Sequence, residues 1–174
     1  MHAEPHTNTS AVGRDAARRY AAVRAATVAL VQPLSAEDCC VQSMPDASPT
    51  KWHLAHTSWF FETFILEAHE RGFRPFDPAF RVLFNSYYQG VGQQHPRPRR
   101  GLLTRPPLAT VLAYRADVDA RMQCLLAQDG LFAGASGLAD LLELGLQHEQ
   151  QHQELILTDI KHLLWCNPLW PAYS

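Results

Sequence analysis

Residues 138–165 read LADLLELGLQHEQQHQELILTDIKHLLW, and the period of this stretch decides the fold. It contains no proline, follows a run broken by Gly130, Gly134 and Gly137, and stops at Asn167-Pro168. Apolar residues recur at helical spacing, so the stretch predicts one helix, roughly 40 Å long at 1.5 Å per residue. Positions four apart on a helix lie one above the other. One such stripe runs Leu141, Gly145, His148, His152, Leu155, Asp159, His162. Leucines bracket the histidines, so the stripe is expected to face the interior with two imidazoles stacked on it.

Buried imidazoles cost free energy unless they find partners. A pair one turn apart on an inward face is suited to sharing a metal ion, and a third ligand would complete a site with open positions. The segment WHLAHTSWFFE, residues 52–62, offers His53 and His56. His56 is flanked by Trp52, Trp59 and Phe60, which favours it over His53 as the inward residue. Asp159 can accept a hydrogen bond from a ligand's second nitrogen, although a solvated helix end is the plainer expectation for Asp159 and His162. HEQQH also fits the H-E-x-x-H pattern of zinc proteases. The positions where extended forms place further ligands hold Leu155 and Thr158, Glu154 is the last glutamate, and no strand is expected to hold a peptide. The protease reading is therefore set aside.

Working outward, three more helices are expected. Residues 14–31 are alanine-rich and carry an apolar stripe that ends before Pro33. Residues 49–69 follow Ser48 as expected N-cap, with Pro49 at the first helical position, and are apolar on most sides. Residues 107–128 carry Leu108, Val111, Leu112, Val118, Met122, Leu125 and Leu126. Residues 1–13 read as a flexible tail containing His2 and His6. Residues 70–106 read as a long loop with a short helix near 78–88; loops of this length inside domains are commonly functional. The sum is an all-α antiparallel four-helix bundle with one long crossover loop.

Composition agrees with one globular domain. The chain has 174 residues, 47% hydrophobic and 18% charged, with a formal net charge of −2. That balance argues against a nucleic-acid partner. No apolar run approaches the ~20 residues of a membrane helix, and the N-terminus lacks a signal-peptide core, so a cytoplasmic protein without a membrane partner is expected. Cys39, Cys40, Cys124 and Cys166 form no CxxC pair, which suits reduced and mostly buried thiols.

Three segments, KWHLAHTSWFFETF, LFNSYYQGVGQQHPRPRRGLL and LGLQHEQQHQELILTDIKHLL, resemble in order the N-terminal part of EgtB-type ergothioneine biosynthesis proteins, the hercynine-oxygenating sulfoxide synthases. The resemblance spans roughly residues 14–174 and implies a DinB-like four-helix bundle over 14–168. It also implies a three-histidine iron site at His56, His148 and His152. The cofactor would be non-haem Fe(II). The small-molecule partners would be hercynine, cysteine or γ-glutamylcysteine, and dioxygen, joined in oxygen-dependent C–S bond formation to a sulfoxide. By the same resemblance Gln151 would contact the hercynine imidazole. Arginines of the loop would hold the thiol substrate's carboxylates; Arg97 and Arg100 are the candidates among Arg97, Arg99, Arg100 and Arg105.

Family members continue into a second domain resembling the formylglycine-generating enzyme, which supplies a catalytic tyrosine. Here residues 169–174 read as the start of a linker, so no catalytic residue is identifiable in this chain. Weak or absent activity is expected unless a separate chain supplies that domain. Two other readings stand beside this one: a stand-alone DinB-like zinc- or nickel-dependent thiol transferase, and a non-catalytic interaction bundle whose histidines staple helices.

Overall fold

The structure, a computed structural model, describes residues 7–86 and 88–174. Four long helices form the bundle: α1 (Thr7–Val31), α2 (Thr50–Phe61), α3 (Leu108–Leu126) and α4 (Leu138–Cys166). Helix α2 continues through a π-helical turn, Glu62–Leu66, and a last α turn, Glu67–His69. Among the described residues there is no strand. The all-α expectation is met.

Cross-helix bonds define the directions. Gln123 reaches Ala17 while Arg115 reaches Arg24, so α3 runs antiparallel to α1. Arg19 meets Glu143 and Gln153 meets Thr27, so α4 runs parallel to α1. Helix α2 is antiparallel to α4, with His56 opposite His148 and His53 opposite His152. The long crossover between α2 and α3 follows from this arrangement, because successive parallel helices need a connection as long as the helix itself. Every residue of α2 is buried, as a helix apolar on most sides should be. Trp59, Phe60, Phe61, Ile65 and Leu66 pack against Tyr20, Met122 and Leu146 in one core.

Several local expectations are corrected. Helix α1 begins at Thr7, inside the stretch expected as a tail; His2 and His6, with residues 1–6, lie outside the described residues. Gly13 lets this helix pass close to α3: a Cβ there would sit 2.8 Å from the Leu126 carbonyl oxygen. Ser48 does not cap α2; Pro49 occupies that position without a side-chain cap. Instead Ser48 spends its hydroxyl on Arg100 and its N–H on Asp159. The short helix near 78–88 is confined to Phe80–Leu83, and Tyr87 lies outside the described residues. Only Cys39 among the four free cysteines is buried; Cys40 is half-buried and the other two are exposed. After α4 the chain turns back, and the Tyr173 hydroxyl donates to the Leu30 carbonyl at the last turn of α1, 2.5 Å away.

Gly145 lets α2 and α4 approach. A Cβ at that position would lie 2.6 Å from Cε1 of Phe61 and 2.9 Å from Cε1 of Phe60. Both atoms belong to rings buried in the core, so neither can swing away. Gly145→Ala should gain up to about 1 kcal/mol of helix propensity and lose about 1–3 kcal/mol to overpacking. The balance is a net loss of up to about 2–3 kcal/mol, so a fall in Tm of up to about 10 °C is expected in thermal unfolding. A Tm above that of the unaltered chain would refute this packing.

Candidate metal centre

His56, His148 and His152 each offer a nitrogen to one region, with the three ligand atoms within 4.8 Å of one another. His56 Nε2 and His148 Nε2 are 3.2 Å apart. Metal–nitrogen bonds of ~2.0–2.1 Å put neighbouring ligands roughly 3.0 Å apart in octahedral and roughly 3.4 Å apart in tetrahedral coordination. The observed edge lies between the two values.

The aromatic residues of α2 fix His56. Its ring stacks on Trp52 at 4.6 Å and on Trp59 at 5.5 Å between centroids, nearly parallel to both. The Trp52 ring also carries the Arg100 guanidinium, 3.3 Å from the ring centroid. The short helix Phe80–Leu83 supplies the backbone end of the clamp. Carbonyls at a helix C-terminus lack intrahelical partners. Here Arg81 O accepts from the Trp59 indole, Leu83 O from the Trp52 indole, and Phe84 O from His56 Nδ1 at 2.6 Å. The last bond commits Nδ1 of His56 as donor and leaves its Nε2 lone pair facing the other histidines.

The donor set suits a divalent cation. Burial first, then the neighbouring imidazole of His148, holds His56 well below the usual histidine range. Burial pushes His148 down to about 4. His152 is likewise lowered, first by burial and then by His53, His56 and His148. All three rings are thus neutral near pH 7, the form that binds metal. His148 Nδ1 is buried without a hydrogen-bond partner, so neither nitrogen of that ring is held by a carboxylate or carbonyl.

A histidine kept neutral by burial resists protonation that the unfolded chain accepts. Its folded-state value lies below its unfolded value of 6.5, so the unfolded chain binds more protons between the two. The metal-free protein should therefore lose stability as the pH falls from 6.5 towards about 4. Thermal unfolding followed across that window should show a falling Tm; a flat profile would contradict the burial of these rings.

The histidines open into a cavity of about 480 Å³. Arg97, Arg100 and Gln151 line it together with the metal candidates. Arg100 is buried and donates to the hydroxyls of Ser48 at 2.9 Å and Ser86 at 3.1 Å. Gln151 is exposed at the rim, next to His152 on α4. The structure thus brings together the six residues singled out by sequence.

Two features were not read from the sequence. The first is His53, which bonds both His152 and Asp159; the signal available was a second histidine one turn before His56 and a carboxylate seven residues after His152. The second is Glu149, the glutamate of HEQQH. Its carboxylate is fully buried and bonded by residues of α1 and α3. Arg24 Nη1 meets it at 2.9 Å, Arg115 bonds its other oxygen, and the Thr27 hydroxyl donates at 2.6 Å. Burial acts to raise its pKa, but Arg24 and Arg115 overcome that and hold it at about 2. A glutamate so engaged is no general base for a protease.

Residues 19–156 match the family model described as the DinB superfamily, well over half of the chain and inclusive of all three histidines. No curated protein matches the chain. No described helix is long and apolar enough to cross a membrane.

Proposed function

The chain belongs to the DinB superfamily, and we propose that it is a non-haem Fe(II)-binding domain of an ergothioneine-type sulfoxide synthase, serving oxygen-dependent C–S bond formation between hercynine and cysteine or γ-glutamylcysteine. The observation that carries the reading is the convergence of His56, His148 and His152 in a cavity that also holds Arg97, Arg100 and Gln151. Three imidazoles suit Fe(II) and leave further coordination positions for substrates. The order of the WHLAH, HPRPRR and HEQQH segments supports the same reading.

Bound there, the metal supplies a redox-active Lewis acid that favours the thiolate of a thiol ligand. The remaining tasks fall to this chain's residues. The Trp52–His56–Trp59 stack holds one ligand ring in place. Arg100, held by two serine hydroxyls and an indole face, presents a fixed positive charge suited to a carboxylate. Gln151 stands at the rim, where an amide can donate to or accept from a substrate imidazole without competing for the metal.

Titration of hercynine, followed by cysteine, into the anaerobic Co(II)-substituted protein tests the proposal through the cobalt d–d absorption. Each substrate should change the bands in the unaltered chain. Unchanged bands at millimolar hercynine and thiol would remove this substrate pair. A second reading, thiol transfer at zinc, draws on the 3.2 Å edge, which suits four-coordinate zinc equally well; tightly held zinc with no hercynine response would favour it.

A further inference from the structure

The geometry points to His53 and Asp159 as positioning residues that fix His152 as a metal ligand. The inference rests on the metal-binding reading of the histidine cluster and concerns residues outside its three ligands. Both nitrogens of His53 are committed to the protein. Nε2 lies 2.9 Å from Asp159 Oδ2, and Nδ1 lies 2.8 Å from His152 Nδ1.

Proton counting sets the directions. Asp159 Oδ2 already accepts the Ser48 backbone N–H at 2.9 Å, so it acts as acceptor towards His53 as well, and His53 Nε2 donates. A neutral His53 then carries its lone pair on Nδ1. His152 Nδ1 must donate to that lone pair, which leaves the His152 lone pair on Nε2. One carboxylate thereby selects the tautomer of two successive rings. Phe84 O performs the same selection for His56 directly. His53 is 2% exposed and its carboxylate partner 11% exposed at the side chain, so water competes little for these bonds.

The antiparallel register of α2 and α4 builds the relay. His56 faces His148, His53 one turn earlier faces His152, and Asp159 lies two turns beyond His152. His53 lines the same cavity, with Nδ1 bonded to His152 and Nε2 to Asp159, and stands outside the convergent trio. Partners of this kind hold a ligand ring in orientation and raise its basicity, and losing one weakens metal binding by about 10–100-fold.

The test uses the full chain with Zn²⁺, in competition with a chromophoric chelator, and Co²⁺ absorption spectra. Asp159→Asn keeps the shape and removes the charge. His53→Phe removes both bonds. His53→Gln can restore them, since its amide nitrogen donates to Asp159 and its carbonyl accepts from His152. We expect about tenfold weaker zinc binding for Asp159→Asn and up to about 100-fold for His53→Phe. His53→Gln should recover most of the loss, and the two weakened variants should show shifted cobalt bands while keeping the helical circular dichroism. Affinities within threefold of the unaltered chain, with unchanged cobalt bands, would overturn the relay. If His53→Phe fails to fold, Asp159→Asn and His53→Gln decide alone. Absence of zinc binding by the unaltered chain would overturn the metal site and the relay together. Binding that His152→Ala abolishes but Asp159→Asn leaves intact would overturn the relay only.

Discussion

His152→Ala should weaken zinc binding by about 10²–10³-fold or more and leave the bundle folded. Apparent binding energies of structural zinc sites run about 10–16 kcal/mol, and one ligand of three or four carries a few kcal/mol of that, each ~1.4 kcal/mol being a factor of ten. His152 sits at the centre of the cluster, with its ring 4.8 Å from that of His56 and 4.6 Å from that of His148 between centroids. The side chain contributes little to the apolar core, so truncation removes a ligand more than a packing element. Chelator competition measures the loss, and circular dichroism checks the fold. Retention of full affinity would take His152 out of the site.

A larger effect on stability is expected at Glu149. Its carboxylate joins Arg24 of α1 and Arg115 of α3 in the interior, with Thr27 completing the cluster. Asp119 and Ser58 hold the remaining donors of Arg24. Removing one partner of such a buried set leaves an uncompensated charge and costs about 3–5 kcal/mol. A domain stable by about 5–15 kcal/mol would be left marginal or unfolded. Glu149→Ala should therefore lower the Tm sharply or abolish folding. A combined replacement of Arg24, Arg115 and Glu149 by apolar residues of similar volume should recover most of the loss, because desolvation of the ions is then avoided. A Tm within 2 °C for Glu149→Ala would contradict the cluster. The network stands one residue from His148 and one turn before His152 on α4, so it anchors the helix that carries two ligands.

The two expectations differ in what the sequence could reveal. The His148/His152 stripe and the course of α4 were legible because a 3.6-residue period, a glycine before and Asn-Pro after constrain one segment by itself. The all-α class followed from four such segments. The choice between His53 and His56 depended on the register between two helices, which no single segment encodes; aromatic flanking pointed to His56, and the stack with Trp52 and Trp59 is the physical basis. The part played by His53 was hidden for the same reason, since its two partners lie 99 and 106 residues away.

The buried ion cluster was not legible at all. Arginine and glutamate in helices read as solvated positions, and only the meeting of α1, α3 and α4 makes Arg24, Arg115 and Glu149 mutual partners. The π-helical turn Glu62–Leu66 gave no local sign either. It aims Glu62 at the Tyr114 hydroxyl, 2.6 Å away, and at the Phe76 N–H, partners supplied by other parts of the chain.

Anomalous diffraction from crystals loaded with cobalt addresses the metal site most directly. One anomalous peak per chain is expected, within bonding distance of a nitrogen from each of His56, His148 and His152. Cobalt at surface carboxylates or at the exposed cysteines, with no peak among the three imidazoles, would contradict the account.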